Sequence, residues 1–183
     1  MILAANTTWY IARAGGLLAF TLLTASVALG LLLSRREHFK SWPRFALEDV
    51  HRFVSLLAGT FIVVHVGSLL FDSYLPFSLA NVLVPGTAPY RSLPVAAGVV
   101  AAELLAALAV TNRYRDSLPR NFWRRAHYLN FAVWLLAFVH GIFAGTDAST
   151  PWGITLYLAS AGVVGALVAG RLLPAQRPAR QHT

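Results

Sequence analysis

The sequence predicts an all-α fold, an integral membrane bundle of about five transmembrane helices. Hydrophobic residues make up 57% of the 183 positions and charged residues only 12%, which is unlike a soluble domain. Five segments are long and apolar enough to cross roughly 30 Å of hydrocarbon at about 1.5 Å per residue. They are about Trp9–Leu33, Val50–Phe71, Leu93–Val110, Ala126–Gly145 and Trp152–Leu172. We therefore expect one membrane domain over residues 1–172 and a cytoplasmic tail over residues 173–183, with no soluble catalytic domain.

The basic residues predict how the bundle is oriented. The net charge is +8, and most of the arginine and lysine lies around the first loop, the third loop and the tail, whereas the second loop has only Arg91 and the fourth has none. The positive-inside rule then places the N-terminus outside and the C-terminus in the cytoplasm of a multi-pass plasma-membrane protein. Because this charge is explained by solvated loops, we expect a lipid bilayer and no nucleic acid as its partner.

The absence of cysteine limits the chemistry. With no Cys in the chain, disulfides, thiolate metal sites, Cys-ligated iron–sulfur clusters and covalent c-type heme attachment are excluded.

The first span carries one unusual residue, Arg13, about one turn inside the predicted outer boundary. The residues before it lack the basic region and cleavage site of a signal peptide, so we expect the span to be retained. Arg13 either snorkels to the headgroups or faces inward toward an anion.

Two further features lie before the fourth span. The outer segment 72–92 contains Pro76, Pro85, Gly86 and Pro89, and its apolar content predicts a re-entrant or surface-lying lid over the outer end of the bundle. Glu103 lies near the middle of the third span, where an ionisable residue usually faces the bundle interior. It is interpreted either as a proton carrier or as a protonated carboxyl in a structural hydrogen bond.

Four of the six histidines form a regular pattern on the second and fourth spans. These two spans run in the same direction. His51 and His65 are 14 residues apart, an axial rise of roughly 21 Å, and His127 and His140 are 13 apart, roughly 20 Å. The matching depths predict two bis-imidazole hemes, His51 with His127 near the cytoplasm and His65 with His140 toward the outside.

The rotational positions of the two histidines on the fourth span support the pairing less well than their depths do. At about 100° per residue, 14 residues fall roughly 40° short of four turns, but 13 residues fall roughly 140° short. The fourth span therefore needs a local distortion or a tilt. Zinc and di-iron sites are less favoured because few other donors are near, and Gly59, Gly67 and Gly141 are interpreted as helix surface left clear for a flat macrocycle. The other two histidines, His38 and His182, fall in polar segments and are interpreted as solvated.

These residues resemble the ferric-reductase-like transmembrane domain family, which includes ferric reductases, NADPH oxidases and the heme-bearing membrane subunit of the bacterial methionine-sulfoxide repair system. The spacings H-x13-H and H-x12-H and the segment HGIFAGTD from His140 are similar to that family's two ligand helices. The segment TWYIARAGG resembles one whose arginine lies beside the outer heme. The resemblance implies that Arg13 contacts the outer propionates or a reduced substrate.

The chain also departs from this family. Members commonly have six helices, and the chain lacks one before the arginine-bearing span; the flavin and nicotinamide domains of the oxidases are missing too. We therefore do not expect an intrinsic NAD(P)H oxidase, and a flavin is expected only through a partner. The repair subunit usually has an incomplete ligand set, whereas all four histidines occur here.

The sequence thus predicts a di-heme b-type transmembrane electron-transfer protein, the membrane component of an oxidoreductase. Its donor would be a cytoplasmic flavoprotein reductase or quinol, and its acceptor a molecule or partner protein on the outer face. Arg52, Arg124 and Arg125 would neutralise the inner propionates, or else only anchor the loops by the positive-inside rule. The rival interpretations are a non-redox membrane scaffold or assembly subunit and a small proton-coupled transporter using Glu103.

Overall fold

The computed structural model describes residues 2–34, 43–73 and 75–172, and every regular element in these ranges is helical. The helices are α1 (Ile2–Ser34), α2 (Arg44–Leu70), α3 (Leu79–Leu83), α4 (Ser92–Arg113), α5 (Arg120–Tyr128), α6 (Asn130–Ala144) and α7 (Pro151–Leu172), with a 3₁₀ turn at Arg115–Ser117. His38 and His182 lie outside the described residues.

Five helical segments are long and apolar enough to cross a membrane, as the sequence predicts. They are Thr7–Ser34, Arg44–Leu70, Ser92–Arg113, Arg120–Ala144, which comprises α5 and α6, and Pro151–Leu172. The prediction of an all-α multi-pass bundle is therefore confirmed. Apart from the polar α5 at the start of the fourth span, the spans are apolar on most sides, which suits helices that meet lipid on one side and protein on the other.

Helix α1 is the centre of the bundle and the most buried span. It packs against α2, α6 and α7, while α4 packs mainly against α6. Leu23 of α1 forms one core cluster with Ala101, Leu108 and Val133, and Leu31 forms a second with Val164 of α7. Since lipid offers no hydrophobic drive for helix association, these close van der Waals contacts hold the spans together.

Helix α2 stands apart from the other spans. In the part of the chain that the structure describes, it packs closely on α1 and at most marginally on any other helix. Of its residues only Ala58 is fully buried. A slot consequently separates α2 from α5 and α6, and α1 forms one wall of that slot.

The segment after α2 folds over one end of the bundle, as predicted, and we call this the lid end. Phe77 and Ala88 of the lid pack in a cluster with Val95 and Val99 of α4. The start of α3 is fixed by a capping box in which the Ser78 hydroxyl accepts from the Asn81 amide and the Asn81 side chain accepts from the Ser78 amide.

Two side chains tie the lid to the end of α6. The Tyr90 hydroxyl donates to the Ala144 carbonyl at 3.3 Å, and Arg91 Nη1 donates to the Phe143 carbonyl at 2.7 Å. The opposite end of the bundle carries the basic third loop, between α4 and α5, and we call it the basic end.

Truncating the core of α6 should destabilise the bundle more than truncating its lipid-facing side. Val133 is 1% exposed and Leu135 is 55% exposed. Val133→Ala should lower the free energy of unfolding by about 1–3 kcal/mol, on the scale of core truncations, because the neighbouring helices cannot collapse fully into the space. Leu135→Ala removes more atoms but should change the free energy of unfolding little. Denaturation of both variants in detergent measures the difference. Equal losses of stability in the two variants would contradict this packing.

Candidate functional site

The four membrane histidines meet as two pairs across the slot between α2 and the α5–α6 span. The ring centres of His51 and His127 are 6.4 Å apart, and those of His65 and His140 are 6.2 Å apart. The ring planes within the pairs are inclined at 71° and 72°. The pairing by depth that the sequence predicts is therefore the arrangement found.

Backbone carbonyls of neighbouring helices hold both rings of the lid-end pair. Nδ1–H of His65 donates to the Ala12 carbonyl of α1 at 2.6 Å, and Nδ1–H of His140 donates to the Pro94 carbonyl of α4 at 2.9 Å. Because Nδ1 carries the proton in each case, Nε2 of each ring keeps its lone pair. Both rings are thus prepared as ligands.

Two glycines give these rings their space. A Cβ at Gly16 would lie 3.0 Å from Nδ1 of His65, and a Cβ at Gly98 would lie 2.6 Å from Nδ1 of His140. Neighbouring Gly15 lets the backbone of α2 approach, since its Cβ would lie 3.3 Å from the His65 amide nitrogen. The lid-end rings are therefore seated directly on helix backbone.

The basic-end pair is held differently on its two sides. Nδ1–H of His51 donates to the Ser26 carbonyl at 3.0 Å, and a Cβ at Gly30 would make only an ordinary contact of 3.5 Å with the same ring. His127 stacks on Trp123 at 5.2 Å between ring centres, one helical turn away on α5. Three of the four rings are therefore oriented by a carbonyl of another helix, and the fourth by Trp123 and by the Asn130 side chain, whose Nδ2 lies 3.5 Å from His127 Nδ1.

A break interrupts the fourth span between His127 and His140. Helix α5 ends at Tyr128 and α6 begins at Asn130, with Leu129 between them as a turn whose amide donates to the Ala126 carbonyl. The Asn130 side-chain amide donates to the His127 carbonyl at 2.8 Å, which supports the altered backbone. The span is therefore locally distorted between its two histidines, and a distortion or a tilt is what the 13-residue spacing predicts.

The glycines singled out from the sequence have two kinds of surroundings. Nothing lies within 4 Å of a Cβ built at Gly59 or Gly67, and a Cβ at Gly141 would meet the Tyr157 hydroxyl of α7. Gly141 therefore serves α6–α7 packing. The glycines that lie against the lid-end histidine rings are on α1 and α4. They belong to the site only through contacts with histidines of other helices, and those contacts exist only in the folded bundle.

Arg13 faces inward and forms an ion pair that the sequence did not identify. Its Nε and Nη2 donate to the two carboxylate oxygens of Asp147, in the loop after α6. The side chain of Asp147 is 5% exposed and that of Arg13 is 36% exposed. Of the two interpretations of Arg13, the inward one is correct, and the anion belongs to the chain itself.

A cavity of about 210 Å³ lies at the lid end beside this ion pair. His65, His140, Arg13 and Asp147 all line it, together with apolar residues of the lid and of α4. The cavity therefore joins the lid-end histidine pair to the only ion pair found between distant segments of the described chain.

The remaining predicted residues lie at the surface. Arg52, Arg124 and Arg125 are exposed at the basic end, and Arg52 Nη1 lies 3.7 Å from Oδ1 of Asp49. Glu103 is also exposed, on the outer surface of α4. The expectation that Glu103 faces the bundle interior is therefore wrong, because α4 turns its buried side chains toward α6 and the lid.

No cluster of three or more His, Cys, Asp or Glu side chains suited to a metal ion occurs among the described residues, so the candidate site consists of the two histidine pairs. No family model, curated protein or solved structure matches this chain. The case for a function therefore depends on the geometry of the pairs.

Adding a methyl group at Gly98 should disturb the lid-end pair. Gly98→Ala places its Cβ against the His140 ring, so the ring must move, and we expect a loss of about 1–3 kcal/mol in unfolding free energy from overpacking. Gly162→Ala is the matched control, because it is also a glycine within a span and its Cβ would meet nothing within 4 Å. Thermal unfolding compares them; a Gly98→Ala variant as stable as the control would contradict the close seating of His140.

Removing Arg13 and removing Asp147 should lower the stability of the protein by different amounts. Arg13→Gln leaves a buried carboxylate without its cation, whereas Asp147→Asn leaves a guanidinium that is about one-third exposed and can extend toward water. We expect Arg13→Gln to lower the unfolding temperature more than Asp147→Asn, and the double variant to recover part of the loss. Thermal unfolding in detergent tests this order, and the reverse order would contradict it.

Proposed function

We propose that this chain is a di-heme b-type transmembrane electron-transfer protein, in which each histidine pair holds one heme iron. The single observation that carries the proposal is the presence of two facing histidine pairs at two depths of one membrane bundle. A lone buried histidine is ordinarily a hydrogen-bonded core residue, but two matched pairs across a slot are not explained by packing alone.

The spacing of the rings supports one metal ion between each pair. A metal ion held by Nε2 of both rings would need ring centres about 6 Å apart, because each metal–imidazole bond would be about 2.0 Å long. The observed separations are 6.4 and 6.2 Å. The inclination of the rings is compatible with this arrangement, since each ring can turn about its own metal–nitrogen axis.

The donor set also suits heme iron better than other metals. Two neutral imidazoles without carboxylate or thiolate leave a zinc or di-iron site short of ligands, whereas a porphyrin supplies the other four donors of an iron. The carbonyls of Ser26, Ala12 and Pro94 fix the tautomer of three rings and raise their basicity, as the outer partners of ligand histidines generally do.

When bound, two such hemes supply one-electron carriers at two depths of the membrane. The chain itself provides axial ligands, an apolar surrounding and charge. Arg52, Arg124 and Arg125 offer cations at the basic end for heme propionates. Arg13 offers one at the lid end, where Asp147 holds the side chain in position and leaves about a third of it exposed.

This function agrees with the resemblance to the ferric-reductase-like transmembrane domain family, which we retain as part of the proposal. The chain would serve as the membrane component of an oxidoreductase, with a flavoprotein or quinol as donor at the basic, cytoplasmic end. The acceptor would bind at the lid end, on the outer face. A ferric chelate, oxygen, a quinone or a partner enzyme are the acceptors to be compared.

Of the rival functions, the proton-coupled transporter has less support than the sequence alone suggests. Glu103 is exposed on the outer surface of α4 and so does not line a path through the bundle. A non-redox scaffold remains as the second candidate, and it differs from the proposal in requiring no heme. An absorption spectrum of the purified protein separates them.

The decisive experiment combines heme stoichiometry with single histidine variants. A pyridine hemochrome assay should give two hemes b per chain. His65→Ala and His140→Ala should each remove the same lid-end heme, and His51→Ala and His127→Ala the same basic-end heme, because each iron loses one of its two axial ligands.

Redox titration identifies which heme remains in each variant, and circular dichroism verifies that it is folded. Thr60→Ala serves as the control on α2, since Thr60 is exposed between the two histidines and only its own helix accepts its hydroxyl. One heme or none in the unmodified protein, or losses that pair His51 with His140, would overturn the proposal.

A further inference from the structure

Two arginines at the basic end share one tyrosine hydroxyl. Arg171 Nη2, in the last turn of α7, donates to the Tyr128 hydroxyl at the end of α5 at 3.3 Å. The guanidinium carbon of Arg171 also lies 5.8 Å from the centre of the Tyr128 ring. The side chain of Arg124, one helical turn before Tyr128, interacts with the same hydroxyl. Two positive charges from two helices are thus brought to a single neutral oxygen.

A third helix contributes to this group of residues. Arg171 Nη1 donates at 3.1 Å to the hydroxyl of Ser34, the last residue of α1, and that hydroxyl donates to the Leu31 carbonyl at 2.7 Å. Leu31 packs with Val164 of α7 in one core cluster, so the contacts of Arg171 continue the packing of α1 on α7 to the basic end. The fold therefore fixes the position of the Arg171 guanidinium. We call Ser34, Arg124, Tyr128 and Arg171 the arginine cluster.

The described part of the chain supplies no anion to the arginine cluster. Neither Arg124 nor Arg171 forms an ion pair with any residue that the structure describes. Their hydrogen-bond acceptors are uncharged hydroxyl oxygens, which do not offset the repulsion between two guanidinium groups. A guanidinium has five N–H donors, and Arg171 uses two of them in these contacts. The cluster therefore combines uncompensated positive charge with free hydrogen-bond donors.

The depth of the arginine cluster indicates which anions it meets. One span ends at Ser34, another ends at Leu172, directly after Arg171, and the fourth span begins at Arg120, one turn before Arg124. All four members of the cluster are exposed. The ends of membrane spans lie at the level of the lipid headgroups, where tyrosine is enriched and where anionic lipids attract basic side chains. The cluster is consequently in contact with the headgroup layer of one leaflet.

The hydrogen-bonding groups of the cluster match a phosphate. The planar fork of a guanidinium forms two parallel N–H···O bonds with a phosphate, and two such groups complement its two unesterified oxygens. The Tyr128 hydroxyl accepts from arginine and keeps its own O–H for donation. Basic pockets between membrane helices bind anionic lipid headgroups in this way. We propose that the arginine cluster is a binding site for the phosphate of an anionic phospholipid in the leaflet at the basic end.

The bound lipid has a structural consequence. Its phosphate joins residues at the ends of α1, α5 and α7, so the lipid stabilises the folded bundle as any ligand of the folded state does. The inference does not depend on whether heme is bound. Of the two arginines, only Arg124 is also among the cations offered to the heme propionates, and the experiment below separates the two uses.

A lipid titration of the full-length protein tests the site. Protein in an uncharged detergent is titrated with phosphatidylglycerol, which is anionic, with phosphatidylcholine, which has no net charge, and with inorganic phosphate as the free anion. We expect phosphatidylglycerol to raise the unfolding temperature. Phosphatidylcholine and inorganic phosphate at the same concentration should change it little. Native mass spectrometry counts the bound lipids, so the result does not depend on stability alone.

Two double variants with equal loss of charge test the residues. Arg124→Gln combined with Arg171→Gln removes both guanidinium groups of the cluster, and we expect the affinity for phosphatidylglycerol to fall about 10- to 30-fold, on the scale of two arginine contacts with anionic lipid. Arg113→Gln combined with Arg120→Gln is the control. Both of these arginines are exposed around the same basic loop and neither forms an ion pair with a described residue. The control should retain the affinity, and circular dichroism verifies that both variants are folded.

Equal losses of affinity in the two double variants would overturn the inference, because they would show a response to total charge. An unmodified protein that does not respond to phosphatidylglycerol, or that responds equally to inorganic phosphate, would also overturn it. If the Arg124→Gln and Arg171→Gln variant loses heme but keeps its lipid affinity, the cluster serves a heme propionate and the inference is wrong. A protein that lacks heme but shows the expected lipid response would contradict only the proposed function.

Discussion

The hydrogen bonds from histidine Nδ1–H groups to the backbone of neighbouring helices are the constraint on which the site depends. His51 and His65 of α2 donate to carbonyls of α1, and His140 donates to a carbonyl of α4. Each bond orients a ring and also fixes one helix relative to another. The two rings of α2 are thereby directed along the wall formed by α1, toward the α5–α6 span.

This arrangement demands close approach, and the glycines of α1 and α4 permit it. A methyl group at Gly16 or Gly98 would meet a ring directly, and one at Gly15 would meet the α2 backbone. The slot is consequently bounded by backbone on the sides where the rings are held and remains open between them. An irregular turn at Leu129 interrupts the span that carries the other two histidines.

The charged residues of the spans divide into two kinds. Arg13 has a partner within the chain, the largely buried Asp147, and this pair links α1 to the loop after α6 at the lid end. Glu103 has no partner among the residues described and faces the surroundings of the bundle. In a solvent that cannot satisfy polar groups, the first is explained by this fold, and the second is not.

The sequence by itself determined the number of spans, the lid segment and the depth of each histidine. These properties follow from hydropathy and from the fixed rise per residue of a helix, both of which are local. Only the tertiary structure decided the rotation of each helix about its axis. Helices that are apolar all round carry no amphipathic signal for that rotation, so the sequence could not reveal that Arg13 pairs with Asp147, that Gly16 and Gly98 seat the rings, or that Glu103 faces outward.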